Sequence, residues 1–359
     1  MNDYQLWFAS AILPYKVKNQ LINIYGSAEN IWYAFINEDI KFNNSSLIIE
    51  KLKSAWNVKK FDNIKYFIDK ENIKTLIVSD SKYPNKLKIY NDCPYMLFYK
   101  GNINYLKMKS VAIIGSRKCT HYGENITRIL AKSLSNNNIL VVSGMARGID
   151  SCAHKEILNS HGKTCAILGS GINVVYPKEN QELYNNIISE GCVISQFIPG
   201  TPPYSYNFPI RNKIISALSD LVIVVEASNK SGSLITAGSA LDQGKDVIAV
   251  PGNIFSNQSK GCNKLIKDGA FVFTSLEDIY ELLSIDIFQK DDIKNMNLDE
   301  EEKKVYSSIL NKPIHVDDLL KKVNFNISKL YEILFDLELK KRIKHLAGDF
   351  YIRNYNCIK

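Results

Sequence analysis

From Ser110 to about Leu283 the chain is written in short, continuously apolar runs separated by stretches of helical period. The runs are Val111–Ile114, Leu140–Val142, Cys165–Leu168, Val193–Ser195, Leu221–Val225, Val247–Val250 and Phe271–Phe273. A strand with one wet face alternates apolar and polar residues, whereas a strand covered on both faces has no need to. Covered strands that take turns with helices predict an α/β fold with a doubly wound parallel sheet.

The flanks read differently. Residues 1 to about 75 carry no strong strand signal. Leu21–Tyr25 reads as a helix, Gly26 as its stop, and Ser27 as the cap of a second helix running through Ala34. Such a pair is either a helix-hairpin-helix that touches DNA backbone or a small packing or dimerisation unit. In the stretch that follows, Tyr83-Pro84 and Cys93-Pro94 interrupt regular structure ahead of Met96–Tyr99. Residues 285–298 are polar with mixed charge and predict a tether. Beyond it Glu301–Leu310, Val316–Val323 and Ile327–Leu339 have helical period, and Gly348-Asp349 marks a turn between two short strands. Three helices and a hairpin predict a winged helix. Its third helix presents Ser328, Lys329, Tyr331, Glu332 and Asp336, with Lys340, Lys341 and Arg342 beside the wing. That mixed face suits protein docking at least as well as duplex reading. The expected division is a helical domain over 1–80 (helix-hairpin-helix or SAM-like), a core over 81–284, a linker over 285–298 and a winged helix over 299–359.

Composition changes this picture little. A length of 359 residues fits two or three domains, and 45% hydrophobic with 23% charged residues is ordinary for a globular protein. The formal net charge of +8 permits nucleic-acid binding without requiring it. The seven cysteines are scattered with no C-x-x-C pair, so neither a zinc ribbon nor a disulfide framework is expected, and no cofactor is implied. No apolar run approaches the roughly 20 residues that cross a bilayer. The start, Met1-Asn2-Asp3, carries an acid where a signal peptide is basic, so a cytoplasmic location is expected.

The candidate chemistry sits on the turns after the strands. In an open parallel sheet, ligands bind at the carboxyl ends of the strands. Glycine there lets backbone N–H groups approach a phosphate, and a helix N-terminus favours negative charge. Gly115-Ser116-Arg117-Lys118 follows the first run, Gly144 and Arg147 the second, and Gly169 and Gly171 the third. Lys230-Ser231-Gly232-Ser233 opens a helix shortly after Glu226. Neither a G-x-G-x-x-G fingerprint nor a Walker sequence is present. A guanidinium on the first turn suits a phosphate gripped from outside, so Arg117 and Lys118 form a candidate phosphate site or else an interdomain ion pair. Arg147 either joins that site or braces its loop against Asp150, which is placed to cap the next helix. Phe208, held extended by Pro209 in a loop beside Arg211 and Asn212, is either a base-stacking platform or a core anchor. Tyr204 and Tyr206 nearby tilt that choice toward stacking. Asp150 and His154 offer an acid and a base without an evident nucleophile.

Taken in order, Gly115-Ser-Arg117 with Tyr122-Gly123, SGMARGID (143–150) with Ala153-His154, YPKEN (176–180), FPIRN (208–212), SGSLITA (231–237) and AVPG (249–252) resemble the DprA/Smf family of DNA-processing proteins. The likeness spans about residues 105–280; no motif is specific alone, and the set is. The flanking domains look similar too. The resemblance implies a Rossmann-like core that binds and protects incoming single-stranded DNA and loads the RecA recombinase, chiefly in natural transformation (competence) and DNA recombination. It also implies a homodimer formed through the core. On the matching positions Arg117, Phe208 and Arg211 are implied strand contacts, with Lys230 and Ser231 at the rim. Two positions depart: Gln196 stands where the family usually carries an acid, and Lys213 where it favours arginine. The expected DNA-binding set is Gly115, Ser116, Arg117, Lys118, Gly144, Arg147, Gly169, Gly171, Phe208, Arg211, Asn212, Lys213, Lys230, Ser231, Gly232 and Ser233, with no catalytic residue and no metal. The rival is an enzyme resembling the lysine-decarboxylase-like phosphoribohydrolases, which release bases from nucleoside monophosphates. Their P-G-G-x-G-T loop and following glutamate would find only Glu226 here. A duplex-binding transcription regulator acting through the winged helix is the third reading.

Overall fold

A computed structural model of the chain describes residues 1–37, 39, 45–285, 298–309, 313–323, 325–340 and 342–353. These fall into two units, Met1–Leu283 and Ser284–Lys359. Residues 286–297 of the expected tether, with Lys341 and Cys357, lie outside the described residues.

Nine strands form the sheet of the first unit: β1 (Lys74–Ile77), β2 (Met96–Gly101), β3 (Ser110–Ile114), β4 (Leu140–Ser143), β5 (Thr164–Leu168), β6 (Cys192–Ser195), β7 (Leu221–Val224), β8 (Asp246–Ala249) and β9 (Phe271–Val272). Their spatial order is β1-β2-β6-β5-β4-β3-β7-β8-β9. Every neighbouring pair from β6 across to β9 is parallel, while β1–β2 and β2–β6 are antiparallel. All the apolar runs read from the sequence are strands of the parallel part. The reason is visible in β3 through β7, each buried along its whole length. β1 escapes the pattern because it is a short edge strand with Leu76 as its one buried position.

The two faces bury separate sets of side chains, as a two-residue period dictates. On one face Ala112, Ile114, Val142, Ile167, Ile194, Val222 and Val224 pack with Ile214, Ile215 and Leu218 of the helix Asn207–Leu218. On the other, Phe98, Ala166, Leu168 and Val193 join Leu6, Trp7, Phe8, Leu21, Ile31, Leu52 and Phe61 of the N-terminal helices. Helix and sheet therefore share one core there, each large apolar side chain contributing roughly 1.5–3 kcal/mol. The N-terminal pair forms as its sequence predicts. Gly26 ends the helix Tyr15–Tyr25 with φ 79°, and the Ser27 side chain accepts from the Asn30 amide to start Ala28–Ile36.

The winding places the site. From β3 the chain steps outward through β4, β5 and β6, then returns to the other flank of β3 with β7 and continues to β8 and β9. The direction reverses between β3 and β7, and a crevice opens beyond their carboxyl ends. One local expectation is corrected here. Phe208 to Asn212 is not an extended loop but the first part of the α-helix Asn207–Leu218. Pro209 lies in its first turn, where a missing N–H forfeits no intrahelical bond.

The second unit has helices Glu300–Ser308, Val316–Val323 and Ile327–Leu339, with a sheet ordered β10-β12-β11. Its strands are β10 (Ile314–His315), β11 (Ile343–Leu346) and β12 (Phe350–Arg353). This is a winged helix around Val305, Leu319, Leu330, Leu334, Leu337 and Ile343. The wing turns through Gly348 and Asp349, both with left-handed backbone.

Candidate nucleic-acid interface

At the switch point, the glycine after β3 is required by what lies behind it. A Cβ on Gly115 would stand 2.7 Å from Ile149 Cγ1 and 3.0 Å from the Glu226 carbonyl oxygen. The next loop presses on this one: the Ile149 amide donates to the Ser116 carbonyl at 3.2 Å. Ser116 turns its hydroxyl inward to donate to Gln258 Oε1 at 2.8 Å. Arg117 and Lys118 are left exposed at the tip, and among the described residues neither is in an ion pair.

Asp150 and Arg211 hold this end of the sheet together. Asp150 sits in the first turn of the helix Ile149–Asn159 without capping it; Oδ2 accepts from the Gly144 amide at 3.2 Å. Burial holds its carboxyl above the usual carboxylate range, opposed by the Arg211 charge and by backbone N–H groups of Ala146, Gly144 and Gly115. Arg211 is 4% exposed. It donates Nε to Asn212 Oδ1 at 3.0 Å, and Nη1 to the Gly144 carbonyl at 2.6 Å and to the Ile167 carbonyl. Burial pulls its pKa down to about 10, with Asp150 opposing and Arg117 reinforcing the shift, so it stays charged at neutral pH. Gly144 is glycine for this reason: a Cβ would lie 2.5 Å from Arg211 Nη1.

Phe208 stands half-buried at the centre. Its ring rests on Gly169, where a Cβ would come within 2.7 Å of Cδ1. Arg117 Cζ lies 5.4 Å and Arg211 Cζ 5.8 Å from the ring centroid, within cation–π range. Tyr176 leans on the same ring at 5.9 Å. The aromatic is thus both an anchor and a lining residue. Across from it the Ser231 side chain caps the helix Gly232–Asp242 by accepting from the Ser233 amide at 3.3 Å, and Lys230 projects exposed before it.

These parts enclose an open cleft of ≈ 700 Å³. Its lining carries the cations Arg117, Lys118, Arg211 and Lys230 against the single acid Asp150. Gly115, Ser116, Phe208, Asn212, Ser231, Gly232 and Ser233 line it as well. A groove so charged, with helix N-termini at its rim and an aromatic at its centre, can hold several phosphates and stack a base.

Other expected residues lie elsewhere. Lys213 is on another side of its helix, paired with Asp92 at 3.3 Å and lining a separate groove with Gln196, Tyr90 and Cys93. Arg147 does not brace Asp150; it grips Glu179 through Nε at 2.7 Å and Nη2 at 2.9 Å, beside a small recess behind Phe208. Gly169 belongs to that recess, and Gly171 packs against the backbone of Ile198 and Gly200. Glu226 is buried and accepts from the Thr120 amide at 2.8 Å and hydroxyl at 2.5 Å, pinning the helix His121–Asn136. His154 is buried too; Nδ1 meets Thr164 Oγ1 at 2.7 Å, and burial drives its pKa down to about 3 with the Arg211 charge adding. Sequence reasoning missed Gln258 as a lining residue, because nothing local marks it and only the fold brings it to the cleft; Tyr176 was noted only within the YPKEN motif, without a place in the cleft. Among the described residues no cluster of three metal-binding side chains occurs, and no helix is long and apolar enough to cross a membrane.

Comparison with known proteins adds to this geometry. Residues 74–284 match the family DNA recombination-mediator protein A, and residues 294–349 match the DprA winged helix domain. The DNA processing protein DprA of Streptococcus pneumoniae is 43% identical over 202 residues, 56% of this chain and 71% of that protein. Protein Smf of Escherichia coli is 42% identical over 210 residues, 58% of this chain and 56% of that protein. The solved structure of DprA from Streptococcus pneumoniae aligns with TM-score 0.65 at 33% identity, covering 80% of this chain and 99% of that one. DprA from Helicobacter pylori, solved for its unique single-stranded DNA binding mode, aligns with TM-score 0.54 at 30% identity, covering 59% and 95%.

Proposed function

The chain belongs to the DNA recombination-mediator protein A (DprA/Smf) family, and from that premise we propose that it is a single-stranded DNA-binding recombination mediator whose interface is the cleft at the β3/β7 switch point. One observation carries the reading: the cleft gathers four cations against one acid around a half-buried phenylalanine. Arg117, Lys118 and Lys230 neutralise phosphates from the exposed side, so binding releases counterions and weakens with salt. Arg211 adds a fixed positive potential from below. Arg117 can lift off Phe208 to admit a base onto the ring, which makes recognition tolerant of sequence.

The reading extends beyond the cleft. Residues 81–284 do the binding, while the helical segment 1–80 and the winged helix 299–359 dock partners or adjust access. The protein acts in the cytoplasm on incoming strands during natural transformation, forms a homodimer through its core and loads RecA; these parts rest on the family resemblance. The hydrolase alternative loses its one candidate carboxylate, because Glu226 is spent on Thr120 away from the cleft lining. Fluorescence anisotropy with labelled oligo-dT and a matching duplex, on wild type and Arg117→Ala, tests the proposal. Single-strand binding that weakens in the variant supports it. Binding to neither DNA, with free base released from nucleoside monophosphates, overturns it.

A further inference from the structure

We propose that Tyr204 and Tyr206 form a second stacking platform at the mouth of the cleft, which holds a nucleobase of the strand as it leaves. The inference rests on the single-stranded DNA reading above. The two rings lie 5.3 Å apart and only 11° from parallel, the offset-stacked arrangement aromatic pairs favour. They do so in the open, 47% and 63% exposed. Neither phenol has a hydrogen-bond partner among the described residues, so no polar contact explains their placement.

The segment that carries them is set in advance. The Gly171 amide donates to the Thr201 carbonyl at 2.8 Å, and Pro202 and Pro203 then restrict the backbone. At the other end, buried Asn207 donates its amide N–H to the Tyr204 carbonyl at 3.0 Å and Nδ2 to the Pro202 carbonyl at 3.3 Å. A tyrosine has two side-chain torsions to immobilise, so a platform held this way loses little entropy on binding.

Continuity with the cleft selects the occupant. Pro203 and Ser205, the residues alternating with the tyrosines, line the cleft, and Phe208 lies two residues past Tyr206. A strand whose phosphates follow Arg117 and Lys230 emerges beside a flat π-face of about ring size. A planar base matches that face, and every base has one.

The test uses the full chain with single strands of increasing length, in oligo-dT and oligo-dA series. The variants are Tyr204→Ala/Tyr206→Ala and Tyr204→Phe/Tyr206→Phe. The shortest strands that fill the cleft are expected to bind the alanine double variant as tightly as wild type. Longer strands are expected to lose about five-fold or more, with the larger loss in oligo-dA, and the phenylalanine variant is expected to retain wild-type affinity. A 2-aminopurine scanned along the long strand should be quenched at one position in wild type and in the phenylalanine variant, and not in the alanine variant. Equal affinity of alanine variant and wild type at every length, or unchanged quenching, overturns the platform alone. Failure of wild type to bind even the short strands overturns it together with the cleft reading.

Discussion

Replacing Arg211 by alanine removes a guanidinium that is buried, charged and bonded to three protein oxygens: Asn212 Oδ1 and the Gly144 and Ile167 carbonyls. A hydrogen bond from a charged donor contributes about 1.5–3 kcal/mol, and removing one member of a buried charge arrangement costs about 3–5 kcal/mol. The second figure already contains the first, so the expected loss for Arg211→Ala is about 3–5 kcal/mol. Most of it comes from Asp150, whose carboxyl would keep its burial and lose the one cation opposing it. Asp150→Asn in the Arg211→Ala background should therefore recover about 1–3 kcal/mol, a coupling typical of groups in one network. The pH dependence has a definite sign. Asp150 is raised above its unfolded value, so its penalty is absent below the unfolded pKa and grows as pH rises through the folded one. The deficit of Arg211→Ala should thus narrow as pH falls toward about 4. Urea unfolding of the wild type, the two single variants and the double variant measures all of this. An unshifted midpoint for Arg211→Ala, or strict additivity in the double variant, would refute the reasoning.

Other outcomes follow from the same geometry. His154 is held neutral with its pKa near 3, so the unfolded chain binds one more proton than the folded one between about pH 3 and 6.5. Stability should therefore rise as pH rises across that window and be lost as it falls, and His154→Gln should flatten the slope by about one proton in urea titrations at stepped pH. Gly169→Ala drives a methyl into the Phe208 ring; about 1–3 kcal/mol of overpacking in thermal melts, or a displaced ring with weaker oligo-dT binding, is expected. Glu226→Gln should lower stability by about 1–3 kcal/mol through the Thr120 contacts while leaving strand affinity unchanged in anisotropy titrations.

What the sequence revealed and what it hid divide along physical lines. The parallel strands were legible because a strand buried on both faces must be apolar throughout, and Val111–Ile114 or Leu221–Val224 cannot be read otherwise. β1 and β10 were not, since four and two residues with few buried positions leave no period to detect. Pro209 misled because its effect on the preceding residue favours extension, whereas here the helix begins before it and its first turn tolerates proline. Arg117, Lys118 and Lys230 announced themselves as cations on glycine-rich turns. Lys213 was expected with them only because it follows Arg211 at a position where the resembling family favours arginine, and helical spacing from Arg211 carries it to another groove. The Arg147–Glu179 pair and the role of Gln258 depend on contacts across 32 and 142 residues, which no local pattern encodes.

The most direct test of the cleft as the DNA interface is the salt dependence of oligo-dT affinity in Arg117→Ala, Lys230→Ala and Lys213→Ala. Each phosphate contact on a single strand contributes about 0.7 to the slope of log K against log salt. Arg117→Ala and Lys230→Ala are expected to flatten the slope by about that much each, and Lys213→Ala, outside the cleft, to leave it as in wild type. A slope untouched by the first two variants, or reduced as much by the third, would contradict the account.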